Sequence, residues 1–182
     1  ATTRSINAAD VNGDGWVDLY CSNLTAQNTL WLNNGGTGFT NATFASGALD
    51  YGVAMGTIFL DIDNDGDQDL YLTHDANQTN ILYLNNGNGV FTSAAAAAGL
   101  DYQGNCMGVD AADVNGDGFL DLYISNLYPS ELFLSNGDGT YTASGAAAGV
   151  DDTGMTWGTS FFDYDQDGLH DLYIANDYLF SP

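Results

Sequence analysis

Positive charge is almost missing from this chain: Arg4 stands alone against 24 acidic residues, leaving a formal net charge of -23. Phosphate backbones are held by Lys and Arg, so the composition argues against nucleic acid as a partner. Glutamate is nearly as scarce, because Glu131 is the only acid that is not Asp. Cysteine is reduced to Cys21 and Cys106, too few for a disulfide scaffold. Both fall at small or apolar strand positions and read as buried free thiols. No run of about 18 apolar residues is present, so no helical membrane span is expected. Histidine is limited to His74 and His170, neither at a zinc-ligand spacing. No Ser-His-Asp arrangement or nucleophile elbow is readable, and no enzymatic activity is expected.

What the chain has in excess is aspartate at fixed spacing. Hydrophobic residues make up 45% and recur in short blocks, so this is not a disordered acidic tail. A nine-residue stretch carries acids at positions 1, 3 and 5, glycine at position 6 and Asp at position 9. It occurs four times, with Asn replacing the position-3 acid twice. The first copy holds Asp10, Asn12, Asp14, Gly15 and Asp18, and the second Asp61, Asp63, Asp65, Gly66 and Asp69. The third holds Asp113, Asn115, Asp117, Gly118 and Asp121, and the fourth Asp163, Asp165, Asp167, Gly168 and Asp171. Each continues as Asp-Leu-Tyr. A solvated turn also favours Asp, Asn and Gly, but needs no fixed carboxylate spacing. Hard cations such as calcium want six to eight oxygen ligands. The spacing predicts four calcium sites with side-chain ligands from positions 1, 3, 5 and 9. A backbone carbonyl near position 7 (Trp16, Asp67, Phe119 or Leu169) and water complete each set. These are not EF-hands, because position 12 is Cys21, Leu72, Ile124 or Ile174 instead of the bidentate Glu. The position-9 Asp is therefore expected to close the site. Four calcium ions would bring the net charge to about -15.

The loops recur every 50 to 52 residues, a period typical of propellers and solenoids. Within a period all signals are for strands. In the third, Cys106 to Ala112 enters the loop, Asp121 to Ser125 leaves it, and Glu131 to Leu134 forms a third strand. Asn136-Gly137-Asp138-Gly139 then turns into a fourth strand at Thr140. Small-residue connectors, Ala94 to Gly99 and Gly145 to Gly149, read as links too short for a helix stable in isolation. The expected fold is all-β: a β-propeller-like array of four-stranded antiparallel blades with the calcium loop between strands one and two. One repeat domain spans residues 1-182, with repeats near 1-52, 53-104 and 105-154 and a partial repeat at 155-182.

These motifs resemble the FG-GAP/VCBS repeat, whose calcium loops are those of integrin α-subunit propellers. Gly154-Met155-Thr156-Trp157-Gly158, leading to the fourth loop, is most similar to the cartilage acidic protein and ASPIC/UnbV group. The resemblance implies calcium-binding blades of an extracellular or cell-surface β-propeller used in adhesion, recognition or surface assembly.

Two function classes follow. The first is a structural or adhesive protein that self-assembles into a filament, with its half repeat completed by strands of a neighbouring copy. The second is a propeller that recognises glycan or protein. Asn23, Asn41 and Asn77 begin Asn-x-Thr triplets and are candidate glycosylation sites on exposed loops. Tyr20, Tyr71, Tyr123 and Tyr173 recur at one position and read as a repeated core contact. Trp16, with unlike residues at its counterpart positions, reads as a contact candidate for a ligand.

Overall fold

Successive side chains of a strand point to opposite faces, so a strand apolar on both faces must be covered on both. That condition organises the molecule. The computed structural model describes residues 2–177. Blade one is a meander of β1 (Thr3–Ala9), β2 (Asp18–Asn23), β3 (Thr29–Asn33) and β4 (Phe39–Asn41). It is followed by a helical turn, α1 (Thr43–Ser46). Blade two runs through β5 (Ala54–Leu60), β6 (Asp69–His74), β8 (Ile81–Asn85) and β9 (Phe91–Ser93), then α2 (Ala95–Ala98). Blade three is β11 (Cys106–Ala112), β12 (Asp121–Asn126), β13 (Glu131–Ser135) and β14 (Tyr141–Ala143), then α3 (Gly145–Ala148). A pair, β15 (Met155–Phe162) and β16 (Asp171–Asp177), begins the fourth. The expected end of that half repeat, residues 178–182, lies outside the described residues. All blade pairings are antiparallel, each nine-residue loop joins strands one and two, and among the described residues no sheet is closed.

Blades stack face to face. In β6, Leu70 and Leu72 enter the core shared with blade one, while the intervening Tyr71 enters the core shared with blade three. Every residue of β6 and β12 is consequently buried. In β16 the equivalent Tyr173 is 59% exposed. The recurring tyrosines thus form the inter-blade core expected from their repetition in three blades. Cys106 is buried there and Cys21 half-buried, both as free thiols.

First strands of successive blades run side by side, and each carries a bulge. At the bulges Gly56 and Gly108 admit the next blade's backbone: an added Cβ would stand 2.8 Å from Met107 O and 3.0 Å from Trp157 O. A hydroxyl from strand two bridges the same gap. Thr73 Oγ1 accepts from Gly56 N and donates to Met107 O (3.0 Å), and Ser125 Oγ accepts from Gly108 N and donates to Trp157 O (2.9 Å).

Two features depart from the sequence reading. The connectors are single helical turns, each ended by a left-handed glycine (Gly47, Gly99 and Gly149, φ between 72° and 79°). Too short to persist alone, such a turn is held by packing of residues such as Ala95 and Ala98 into the blade core. A short extra ladder also joins blades, β7 (Gln78–Thr79) with β10 (Gln103–Gly104).

Candidate metal centres

Each loop is folded by its own carboxylates. The position-1 Asp turns inward and accepts backbone N–H groups across the turn. Asp10 Oδ1 takes Gly13 N and Asp14 N, and its Oδ2 takes Gly15 N at 2.8 Å. Asp61 accepts Asp65 N and Gly66 N, both at 3.0 Å. Asp113 and Asp163 repeat the pattern with Gly118 N and Gly168 N. Its amide bonds, Gly118 first, hold the Asp113 carboxyl below the usual range. The position-5 acids, Asp14, Asp65, Asp117 and Asp167, accept the position-7 amides of Trp16, Asp67, Phe119 and Leu169 at 2.8 to 2.9 Å. Two residues per loop are left-handed. Position 6 is always glycine, with φ from 85° to 94°, and position 4 is Gly13, Asn64, Gly116 or Gln166. Gln166 at φ 63° is unusual for a residue with a Cβ.

At position 3 the loops differ. Asn12, Asn115 and Asp165 each accept the position-5 amide. Asp63 does not. Its Oδ1 is buried and has no hydrogen-bond partner. Burial, then the charges of Asp65 and Asp61, raises its pKa. Asp61, Asp63 and Asp65 bring carboxylate oxygens within 4.8 Å of one another, and so do Asp163, Asp165 and Asp171. An orphaned, buried carboxylate oxygen among converging acids fits a hard divalent cation, the ligand class these donors suit.

The position-9 Asp does more than close a site. Asp18, Asp69 and Asp121 are fully buried. One oxygen of each accepts the position-2 amide (Val11, Ile62 or Val114), and the other accepts the last amide of strand three (Asn33, Asn85 or Ser135) at 2.7 to 2.8 Å. Burial raises all three pKa values against those amides, that of Asp69 to about 6. Asp69 is not among the three clustered acids of its loop. The exposed Asp171 is, while it also accepts Tyr164 N.

Position 7 lies over the strand-three to strand-four turn of its own blade. Trp16 packs on Gly36, where an added Cβ would meet its ring at 3.0 Å; Phe119 packs on Gly137 and Asp67 on Gly87. Trp16 is 47% exposed, as expected, and it fills a packing place that recurs in the other blades. Hairpins also cover the loop of the preceding blade: Gly89 stands over Asn12, and Gly139 over Asp63. Of the glycosylation candidates, Asn41 and Asn77 are exposed. Asn23 is buried, and its amide donates to Gln27 O at 2.8 Å. The expectation of an exposed loop fails there because Asn23 is the last residue of β2.

The FG-GAP-like repeat family matches residues 10–72 and 61–124, so two consecutive loop-to-loop units fit it. The chain belongs to that family. No curated protein matches it. Among solved structures, this FG-GAP-like chain is similar to an Agrocybe aegerita lectin described by its specific recognition of non-reducing terminal N-acetylglucosamine. Identity is 23% and the TM-score 0.48, over 91% of this chain and 44% of that one. The FG-GAP-like chain thus spans less than half the length of that protein. Among the described residues no helix is long and apolar enough to cross a membrane.

Proposed function

We propose that this is an extracellular or cell-surface calcium-binding repeat, structural or adhesive in role and without catalytic activity. The observation that carries the reading is Asp63 Oδ1, buried without a partner beside Asp61 and Asp65 in a chain whose only Lys or Arg is Arg4. Loop one would bind through Asp10, Asn12, Asp14 and Asp18, and loop two through Asp61, Asp63, Asp65 and Asp69. Loop three would use Asp113, Asn115, Asp117 and Asp121, and loop four Asp163, Asp165, Asp167 and Asp171. Bound calcium supplies charge neutralisation and cross-linking of the loop strands, so binding free energy becomes folding free energy. Affinities of about 10⁻⁴ to 10⁻³ M suit external calcium. Asn41 and Asn77, both exposed, would carry glycans in that setting.

The test is thermal unfolding in millimolar calcium against EGTA. A site with a Kd of about 0.1 mM gains roughly 1.4 kcal/mol at about 1 mM ligand. For a domain of this size that is about 3–6 °C per site. Identical melting curves in the two buffers would sink the calcium reading.

A further inference from the structure

Asn85 ends β8 just before the blade-two hairpin and is buried. Its polar groups are engaged on two different loops. At loop two, its backbone N–H donates to Asp69 Oδ1 at 2.7 Å, and Nδ2 donates to Gln68 O at 3.0 Å. At loop one, Nδ2 also donates to Val11 O at 2.8 Å, between Asp10 and Asn12. Its Oδ1 accepts Gly89 N, fixing the hairpin that stands over Asn12. One side chain thus ties the acid-bearing segment of loop one to the exit of loop two.

The next junction lacks this tie. Ser135 occupies the place of Asn85 and keeps the bond from its N–H to Asp121 Oδ1, and its Oγ accepts Gly137 N. It has no amide to donate to Ile62 O, the counterpart of Val11 O. Leu120 O, the counterpart of Gln68 O, is taken instead by the Tyr141 hydroxyl at 3.0 Å.

We propose that Asn85 couples cation binding at the first two loops, while the third loop binds independently of the second. The inference rests on the calcium reading above. Coupling needs a physical element that both sites bias. Ordering Val11 at loop one fixes the Asn85 amide, and with it Gln68 and Asp69, so the second loop has less left to order for itself. Coupling of this kind typically changes affinity about 5- to 150-fold, and it is reciprocal.

Terbium(III) is the probe, with luminescence excited through Trp16, which lies at position 7 of loop one. Loop two is disabled by Asp63→Asn with Asp65→Asn, in the full chain and in the same chain carrying Asn85→Ser, the residue blade three has at this place. The expected result is a loss of loop-one affinity of about fivefold or more with Asn85 present, and of less than about twofold with Ser. Equal losses in both backgrounds, or no loss with Asn85 present, overturn the coupling while leaving calcium binding standing. Absence of any terbium signal together with absence of calcium heat by calorimetry overturns both. Should circular dichroism show Asn85→Ser unfolded, Asn85→Asp retains an acceptor for Gly89 N, removes the donors to Val11 and Gln68, and is held to the same outcomes.

Discussion

His74 Nε2 lies 2.8 Å from Asp50 Oδ2, with both side chains buried between blades one and two. His74 Nδ1 is 2.7 Å from Thr79 O, which can only accept, so Nδ1 carries hydrogen. Asp50 also receives Gly52 N on Oδ1 and the Asn28 amide on Oδ2, as an anion should. With Asp50 ionised, Nε2 donates too and the ring carries the positive charge. A neutral ring in this place would turn a lone pair toward one of two acceptors. Burial alone would lower the His74 pKa, but the hydrogen bond and charge of Asp50 outweigh it and raise the value. Burial alone would raise that of Asp50, and the bond and charge of His74 lower it.

The pair therefore gives stability across a window of pH. The His74 contribution is full below about 6.5, the unfolded value, and is lost as pH rises through the raised folded pKa. The Asp50 contribution is present above its unfolded value and is lost as pH falls through the lowered one. Asn23, Asn126 and Asn176 occupy the His74 position in the other blades, so His74→Asn is the matching uncharged variant. The melting temperature of the wild type should fall relative to His74→Asn as pH rises from about 6.5 toward 9. Asp50→Ala at neutral pH should cost about 1–3 kcal/mol, by leaving the Asn28 amide and Gly52 N without their acceptor. Parallel pH curves for wild type and His74→Asn would show that the ring is not held charged.

Position 5 and position 9 of one loop should separate cleanly by mutation. Asp69 accepts two backbone amides with no exposure, so Asp69→Asn turns an NH2 group toward one of them. In EGTA it should cost about 1–3 kcal/mol. Asp65 is exposed and accepts one amide, which Asn can also accept. Asp65→Asn should change stability in EGTA by no more than about 0.5 kcal/mol, while reducing the stabilisation that calcium gives. Urea titrations of both variants with and without calcium read the contrast, and equal losses in EGTA would refute it.

The four loops and the blade order were legible because spacing and period state them directly: Asp or Asn at every second residue, then Asp-Leu-Tyr, every 50 to 52 residues. What stayed hidden depends on pairs distant in the chain. Asp50 and His74 are 24 residues apart, and only the odd His among Asn counterparts hints at their meeting. Asn85 sits in a readable motif, yet its bond to Val11 O spans 74 residues and appears only once blades stack. Trp16 looked unrepeated because side-chain identity varies at position 7, whereas the repeated feature is the hairpin glycine beneath it. The helical turns escaped notice because local propensity does not hold them; burial of small side chains does.

The recurring tyrosine offers a test of opposite signs within one fold. Tyr71 donates to Leu100 O at 2.9 Å and accepts the Asn80 amide, and Tyr123 donates to Val150 O at 2.8 Å. The Tyr20 hydroxyl is buried with no partner. Its counterpart of Asn80 is Asn28, and the Asn28 amide is drawn instead to Asp50, the partner of His74. Asn28 thus gives Tyr20 no donor, and no carbonyl accepts from Tyr20 as Leu100 O and Val150 O do from Tyr71 and Tyr123. Tyr71→Phe strands a carbonyl and an amide and should cost about 1–3 kcal/mol, whereas Tyr20→Phe removes an orphan and should be neutral or stabilising. In a domain of this size each kcal/mol moves the melting temperature by about 2–4 °C, so the two variants should shift it differently by a measurable margin. Equal destabilisation by both would mean that Tyr20 has a hydrogen-bond partner after all.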